Sequence, residues 1–236
     1  MLEVLQATAD YENARRAMKS GGRSALEPDL LRSLRRWRLV PGLPVGEFNK
    51  SWDVARTLAL IEERLPKDAP VLDLGAFCSE VPVSLAMMGY TAVHGIDLNP
   101  KVRSMPFADR VTYTVGDFNR SAYADGSFDA ITAISVIEHG YNPAQLLGEV
   151  GRLLRPGGLF IASFDYWPQK IDTGTTTFFG LSWLIFSQDD FQSLLQEASH
   201  HGLQALGELH PAAKERPVHC AGFDYTFAWA VLQKKP

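Results

Sequence analysis

The sequence predicts an α/β fold in which helices cover both faces of a mostly parallel sheet. Short apolar runs, bounded by proline, glycine or acidic residues, alternate along the chain with stretches of helical periodicity, which is the pattern of a buried parallel sheet. At 236 residues and 46% apolar, the chain is long enough for one sizeable domain with additional segments, and short for two. The apolar runs are residues 71–74, 91–97, 111–118, 128–135 and 153–161.

Composition argues against several classes of function. The formal net charge of −4 lacks the basic excess that is typical of nucleic-acid-binding proteins. No run approaches the roughly 18 apolar residues of a membrane span, and residues 1–20 lack the apolar centre of a signal peptide. We therefore expect a cytoplasmic protein with neither membrane nor nucleic-acid partners. The two cysteines, Cys78 and Cys220, indicate neither a disulfide framework nor a cysteine zinc site, and both are expected as free thiols.

The stretch that organises the chain is VLDLGAFCSE at residues 71–80. Its apolar start predicts a strand that is buried on both faces. Gly75 lacks a Cβ, which lets the backbone turn tightly and lets a ligand approach closely. Asp73 would then lie at the carboxyl end of the strand, where open α/β sheets bind ligands. The alternative interpretation is a plain strand, turn and helix with an incidental glycine.

At this stretch the chain resembles the class I methyltransferases that use S-adenosylmethionine (SAM), and among them the type 11 group. Their first motif consists of two hydrophobic residues, Asp or Glu, any residue, and then Gly-x-Gly-x-Gly. Asp73 and Gly75 fall in register with it, whereas Phe77 and Ser79 replace the second and third glycines. The resemblance implies that SAM is the cofactor and that Asp73, Gly75, Ala76 and Phe77 bind it.

The next two apolar runs end in residues that extend the resemblance. Asp97 follows Gly75 at the interval at which a carboxylate reaches the hydroxyl pair of a ribose, and Leu98 would pack on the adenine face. In the family a third strand ends near an acid that binds the amino group of adenine. The resemblance therefore implies this role for Asp117, with Phe118 beside it.

Later segments complete the family pattern. Residues 128–135 predict a fourth strand that ends at Ser135, and the resemblance implies that Ser135 binds the cofactor. The segment that follows lies beside the methyl donor in the family. Residues 153–161 are similar to the turn before the fifth strand, while 203–209 and 223–232 are predicted as two closing strands. The resemblance implies a seven-stranded, mostly parallel Rossmann-like sheet with helices on both faces and an antiparallel C-terminal hairpin.

Two residues are candidates for the chemistry. Methyl transfer from a sulfonium is an in-line displacement in which the cofactor supplies the reactivity, so the protein mainly aligns the reactants. A hydroxyl acceptor must also lose its proton, and we expect His139, after the fourth strand, to take it. Asp165, at the end of the fifth strand, is the second candidate. The alternative for His139 is to cap local backbone groups. Because Asp165 stands alone at the strand end, we predict no metal site.

The segment from Ser163 to Phe186 is rich in threonine and aromatic residues. Loops at the carboxyl ends of strands carry substrate specificity, so we assign this segment to an acceptor pocket or a lid. An aromatic cluster packed under a long loop is the alternative. A sugar ring stacks well on aromatic side chains, which favours a small-molecule or carbohydrate hydroxyl as the acceptor. The aromatic residues are Tyr166, Trp167, Phe178, Phe179, Trp183 and Phe186.

Residues 1–48 are predicted as a helical arm in front of a methyltransferase domain at residues 49–236. A second helix begins near Pro28, and Ser51 is expected to cap a third that runs to about Leu65. The arm is expected to form a lid over the site or a contact in a homodimer, with simple packing as the alternative. The first helix is predicted from three- and four-residue steps between Val4, Ala7, Tyr11, Ala14 and Met18.

The arm is also strongly basic. Residues 14–38 contain eight lysines and arginines against Glu27 and Asp29, a local charge of +6 in an acidic protein. Such asymmetry favours an anionic substrate, for example a phosphorylated or nucleotide-linked sugar. A solvated helix face is the alternative.

Two other functions fit part of the sequence. An NAD-dependent oxidoreductase would also place Asp97 on a ribose, but the chain lacks Gly-x-Gly-x-x-Gly and the closing hairpin argues against this class. A methyltransferase-like binding or scaffold protein without turnover stays open because of Phe77 and Ser79. Calorimetric titration with SAM would help to separate it from an enzyme.

Overall fold

The computed structural model describes residues 1–37 and 39–236, with the backbone alone at Asp29 and Arg36. The predicted basic stretch at 14–38 is therefore only partly described, because the side chains of Asp29, Arg36 and Arg38 lie outside the described residues. The α-helices of the described part are α1 (Thr8–Ser20), α2 (Asp29–Arg36), α3 (Ser51–Arg64), α4 (Val81–Met87), α5 (Pro143–Leu153) and α6 (Gln188–His200). Its strands are β1 (Leu2–Val4), β2 (Val71–Leu74), β3 (Val93–Asp97), β4 (Val111–Val115), β5 (Phe128–Ile134), β6 (Leu154–Tyr166), β7 (Thr177–Phe178), β8 (Leu181–Ser182), β9 (Leu203–Ala205), β10 (Val218–Cys220) and β11 (Phe223–Lys234).

The main sheet follows the order β1, β11, β6, β5, β2, β3, β4 across the described residues. Strands β2 to β6 run parallel to one another. Strand β11 runs antiparallel to β6. The short strands β9 and β10 also pair antiparallel with β11. The predicted mostly parallel, Rossmann-like sheet with an antiparallel closing hairpin is therefore confirmed, with β9 and β11 as the hairpin strands.

The first residues of the chain form a strand, so the predicted helical role of Val4 is wrong. Leu2 pairs with Ala230 and Val4 with Ala228 along β11, and α1 begins only at Thr8. Leu2 and Val4 are buried while the residue between them is half-buried, which is the alternation of a strand. Strand β9 pairs only with residues 232–234 at the end of β11. The edge of β11 at residues 228–230 is therefore open for β1. The arm thus contributes a strand to the main sheet, and its division from the rest at residue 48 stays a prediction.

Helices cover both faces of the sheet, as predicted. Alternate residues of β2 divide between the two faces: Leu72 and Leu74 join one apolar cluster and Val71 joins the other. The first cluster takes its helical side chains from α5 and α6, and the second from α1, α3 and α4. Burial of this apolar surface is the main stabilising contribution to the fold.

The starts of α6 and α3 differ in their caps, and the cap predicted at Ser51 is wrong. Ser187 caps α6, because its hydroxyl accepts a hydrogen bond from the backbone N–H of Asp190 at 3.1 Å and the Asp190 carboxylate accepts from the N–H of Ser187 at 2.8 Å. Ser51 does not cap α3. It is the first helical residue, and its hydroxyl donates to the carbonyl of Phe48 at 2.8 Å. A 3₁₀ turn at Phe48–Lys50 runs directly into α3 and displaces the cap position to Lys50.

Candidate functional site

The turn after β2 has the tight geometry that its sequence predicts. Gly75 adopts a φ of +70°, a left-handed conformation that favours glycine. A Cβ built on Gly75 would lie 2.5 Å from Cγ2 of Val136. The N–H groups of Gly75 and Ala76 donate to the carbonyl of Ile96 in β3 at 3.0 and 3.2 Å. The turn therefore lies close against the segment after β5, and its backbone is tied to β3.

We expect Gly75→Ala to destabilise the protein more than a glycine substitution at an open position. Gly89 has a φ of +87° and nothing within 4 Å of its added Cβ, so Gly89→Ala measures left-handed strain alone, about 1–2 kcal/mol. Gly75→Ala adds the clash with a stiff β-branched side chain, which raises the expected loss by about 1–3 kcal/mol. Urea denaturation of the two variants measures the difference. Equal losses would contradict the close approach of Val136.

Asp73 is buried at the end of β2. Its Oδ1 accepts a hydrogen bond from the Thr132 hydroxyl at 2.5 Å, while its Oδ2 is buried without a hydrogen-bond partner among the described residues. Burial raises the pKa of Asp73 to about 7, although the hydroxyls of Thr132 and Ser79 oppose the shift. A buried carboxyl oxygen without a partner is costly in a fold, and it leaves Asp73 with capacity for a ligand.

Asp97, at the end of β3, connects two loops. Its Oδ2 accepts a hydrogen bond from the N–H of Phe77 at 3.0 Å, and its Oδ1 accepts from the N–H of Asn99 at 2.7 Å. Each carboxylate oxygen has a second lone pair, so Asp97 retains two acceptor positions for a pair of hydroxyls. The side chain of Leu98 is 61% exposed beside them and has apolar surface available for a planar ring.

The remaining predicted cofactor residues lie in the segments that follow β4, β2 and β5. Asp117 is exposed after β4, and its carboxylate accepts a hydrogen bond from the N–H of Asn119 at 2.8 Å. Phe118 is half-buried against the core. Phe77 packs in a small apolar cluster with Val45 of the N-terminal arm, so it is half-covered by protein rather than free for a ligand. Ser135 follows β5.

These residues fit SAM on three observations. The turn at Gly75 has no room for a side chain, Asp73 has an unused buried oxygen, and Asp97 has two free acceptor positions at the end of the adjacent strand. A ribose diol would bind Asp97, an adenine ring would pack on Leu98, and Asp73 with the turn would hold the amino-acid end. The roles of these residues remain predictions.

A polar cluster lies at the carboxyl ends of β5 and β6 and includes Ser135, one of the predicted cofactor residues. Its centre is Lys50, whose Nζ donates to the hydroxyl of Ser135. The same Nζ lies 3.7 Å from Oδ1 of Asp165 and 3.4 Å from the centroid of the Phe227 ring. Ser135 has a φ of +52°, an uncommon conformation for a residue with a side chain and one that concentrates at functional sites.

Two more carboxyl groups belong to this polar cluster. Asp53 is fully buried and accepts a hydrogen bond from the Ser163 hydroxyl at 2.7 Å. Burial raises the pKa of Asp53 to about 6, with Lys50 opposing the shift. Glu138 is 1% exposed, and neither of its carboxyl oxygens has a hydrogen-bond partner among the described residues. Together with Asp165, the cluster therefore contains three buried carboxyl groups beside Lys50.

The two predicted catalytic residues both border this cluster. Asp165 accepts a hydrogen bond from Nε1 of Trp183 at 2.7 Å. His139 lies half-buried in the turn after β5, and its Nδ1 is buried without a partner among the described residues. Burial lowers the pKa of His139, and Lys50 lowers it further, while Asp165 opposes the shift. The imidazole is therefore neutral near pH 7 and has an unused ring nitrogen.

The aromatic residues between Ser163 and Phe186 fit both interpretations, a packed aromatic cluster in one part and an acceptor pocket or lid in the other. Tyr166, Trp183 and Phe186 are buried, and the ring of Phe186 packs on Phe164 and Tyr141, as in an aromatic core under a loop. Other rings border the polar cluster. The ring centroids of Phe178 and Phe179 lie 5.8 and 5.6 Å from that of His139, and Phe179 is 90% exposed. This part of the segment borders the polar cluster, and its role as an acceptor pocket or lid stays a prediction.

Sequence reasoning assigned no individual role to three residues of the polar cluster, Lys50, Asp53 and Glu138, although residues 50–52 resemble a segment that lies near the cofactor in some class I methyltransferases. Lys50 and Asp53 lie at the start of α3, and nothing in their local pattern connects them with strands more than 80 residues away. Glu138 carried a signal, because it is an acidic residue that directly follows the apolar residues Val136 and Ile137 and directly precedes His139.

Metal, disulfide and membrane-spanning features can be described briefly. In the part of the chain that the structure describes, no group of three or more His, Cys, Asp or Glu residues has the arrangement of a metal site. Cys78 and Cys220 are free thiols. Across the same residues, none of the helices is both long and apolar enough to cross a membrane.

Known proteins resemble this chain in sequence. The family described as a methyltransferase domain matches residues 72–162, which extend from β2 into β6. Methyltransferase GfsG of Streptomyces halstedii is 30% identical over 66% of this chain and 61% of that protein. A ubiquinone biosynthesis O-methyltransferase of Xanthomonas axonopodis pv. citri is 32% identical over 61% of this chain and 59% of that protein. The chain thus spans about 60% of the length of these curated relatives.

Solved structures resemble the fold over a longer range. The crystal structure of the cyclase SpnF has a TM-score of 0.62 at 15% identity, and the match covers 98% of each chain. Other matching structures are described as SAM-dependent methyltransferases. At these identities the likeness shows the fold alone. Further curated relatives are named as a dimethylglycine N-methyltransferase and a sterol 24-C-methyltransferase, so the relatives differ in the atom that receives the methyl group.

Proposed function

Because the chain belongs to the class I, Rossmann-like methyltransferases, whose cofactor is SAM, we propose that it methylates a hydroxyl group of a small molecule. Carbohydrate hydroxyls are the favoured acceptors. The observation that carries this proposal is the unused Nδ1 of His139, next to the polar cluster and adjacent in space to two aromatic rings. A hydroxyl acceptor requires a group that takes its proton, and a neutral imidazole can do so.

The residues have distinct roles in this proposal. Bound SAM supplies an electrophilic methyl group, so the chain itself aligns the acceptor, excludes water and receives a proton. Asp97, Leu98 and the turn at Gly75 hold the cofactor. His139 takes the proton of the acceptor hydroxyl at Nδ1. Asp165, whose Oδ2 is already bonded to Trp183, is the second candidate for this role.

The acceptor class follows from the surroundings of His139. The exposed ring of Phe179 and the half-buried ring of Phe178 offer a surface on which a sugar ring packs. The basic arm supports an anionic acceptor such as a phosphorylated sugar, although Arg35 is already paired with Glu27 and Arg23 with Glu62. These features favour a carbohydrate over an apolar acceptor such as a sterol.

Mass spectrometry of reaction products tests this function. The protein is incubated with isotopically labelled SAM and a metabolite extract, and the expected result is a labelled methyl group on the oxygen of a small molecule. Protein with Asp97→Ala is the control for transfer that does not need the cofactor site. Binding of SAM by calorimetry without any labelled product would instead favour the binding or scaffold protein. A label on nitrogen or carbon would contradict O-methylation.

The arm is proposed to serve as a lid or as the contact of a homodimer in the cytoplasm. Apolar side chains are unusually exposed along and just after α2: Leu30 is 74%, Trp37 76% and Leu39 70% exposed. Large exposed apolar groups are typical of surfaces that bind something. Light scattering of the purified protein measures whether it is a dimer, and a monomer would leave the lid as the proposed role.

A further inference from the structure

Glu138 is the buried charge-bearing residue that the proposed mechanism leaves without a role. Its side chain is 1% exposed, and both carboxyl oxygens lack a hydrogen-bond partner among the described residues. An unsatisfied polar group of this kind destabilises a folded protein, and Leu or Met would pack in the same space without that cost. Its neighbour His139 also has a buried polar atom without a partner. Both residues follow directly from β5, where the proposed reaction takes place.

The charged neighbours of Glu138 determine its protonation state. Charged and titratable groups of three other elements act on it: Lys50 and Asp53 from the start of α3, Asp165 from β6 and Tyr225 from β11. His139 is its neighbour in the turn. Lys50 is already engaged by Ser135, Asp165 and the Phe227 ring. One ammonium group therefore faces three carboxyl groups, and a carboxyl that lacks a partner is more stable protonated than as an isolated buried anion.

We propose that Glu138 is held as a neutral carboxylic acid and binds the methyl acceptor by a hydrogen bond. A protonated carboxyl has one O–H donor and a carbonyl acceptor, and both are unused in Glu138. Burial raises the pKa of Glu138 well above its usual value, Asp165 raises it further, and Lys50 opposes the shift. The proposal rests on the proposed function, because it assumes that the acceptor occupies the space beside His139.

The proposal narrows the class of acceptor. His139 takes the proton of one hydroxyl, while the O–H of Glu138 donates to a second oxygen or nitrogen of the same molecule. Lys50 and Asp165 are charged neighbours of both Glu138 and His139, so both side chains belong to one polar site and reach neighbouring atoms of one ligand. The acceptor is therefore a diol, a sugar or another compound with a lone-pair atom beside the methylated hydroxyl, and not an isolated alcohol or phenol.

The protonation state is tested without any acceptor. Wild-type protein and Glu138→Gln are melted at several pH values between about 5 and 8. A carboxyl whose pKa is raised in the folded state binds more protons there than in the unfolded chain, so wild-type stability falls as pH rises while the amide variant is unaffected at this position. His139 and Asp53 titrate in both proteins, and their contributions largely cancel. The wild type is expected to lose Tm relative to Glu138→Gln as pH rises. A Tm difference between the wild type and Glu138→Gln that is constant with pH, or that changes in the opposite direction, overturns the proposal.

The binding role is tested with Glu138→Gln and Glu138→Met in the labelled transfer assay. Gln retains a hydrogen-bond donor and an acceptor, whereas Met fills similar space without either. We expect Glu138→Met to be at least as thermally stable as the wild type and to form labelled product about tenfold more slowly. Glu138→Gln should keep most of the wild-type rate, and both variants should bind SAM normally.

Other outcomes decide against the proposal. If Glu138→Met transfers the label at the wild-type rate, the carboxyl does not bind the acceptor. If Glu138→Met is less stable than the wild type, Glu138 has a structural role instead. A labelled product whose methylated oxygen has no neighbouring heteroatom would overturn the acceptor class. If the wild type labels nothing, the proposed function and the acceptor role fail together, whereas the pH series still decides the protonation state.

Discussion

Replacing Asp97 by alanine is expected to weaken SAM binding by more than tenfold. The carboxylate lies at the end of β3 and keeps two free acceptor positions, which suit the two hydroxyls of a ribose. Hydrogen bonds to a charged group contribute about 1.5–3 kcal/mol each. Isothermal titration calorimetry with SAM measures the change. Unchanged affinity in a folded variant would refute the assignment of Asp97 to the cofactor.

The structure adds a second consequence of this substitution. Asp97 also accepts hydrogen bonds from the backbone of Phe77 and Asn99, so alanine loosens both loops as well as removing the ribose contacts. Asp97→Asn is the matched control, because its carbonyl oxygen can still accept from one of these N–H groups without the charge. A smaller loss of thermal stability in Asp97→Asn than in Asp97→Ala, with SAM binding weakened in both, would separate the loop contacts from the cofactor contacts.

Replacing His139 by alanine is expected to lower turnover about a hundredfold, the usual scale for loss of a general base. SAM affinity should be nearly unchanged, because His139 lies beside the polar cluster and not among the predicted cofactor residues. His200, an exposed histidine at the end of α6, provides the control, and His200→Ala should retain wild-type turnover. Near-normal turnover of His139→Ala with the true acceptor would contradict the role of general base.

The pH dependence of the wild type gives an independent measurement of the same role. Only the neutral imidazole accepts a proton, so turnover should fall at acid pH as His139 becomes protonated. Burial lowers the pKa of His139, and the fall should therefore begin below the range of an ordinary histidine. Equal losses of SAM affinity and rate in His139→Ala would mean that the ring only forms part of the binding wall. Asp165→Asn would then be tested as the proton acceptor.

Local patterns in the sequence were sufficient for the main elements of the fold. The apolar runs at 71–74, 91–97 and 128–135 each contain a strand of the parallel sheet, because a strand buried on both faces requires continuous apolar residues. The positions of Asp73, Gly75 and Asp97 could be predicted for the same reason: parallel strands end at one edge of the sheet, and a residue at a strand end must lie there.

The polar cluster was decided by tertiary structure. Asp53 and Ser163 are 110 residues apart in the chain and share a hydrogen bond, while Lys50 meets Ser135 across 85 residues. Local periodicity reports which face of an element is apolar, but not which distant element packs on it. The same limit explains β1. Val4 lies two residues after Leu2, a strand spacing, and three residues before Ala7, a helical spacing, and only the pairing with the open edge of β11 selects the strand. The sequence alone therefore determined the sheet and the turn at Gly75, whereas long-range packing brought Lys50 and Asp53 to Glu138 and to the ends of β5 and β6.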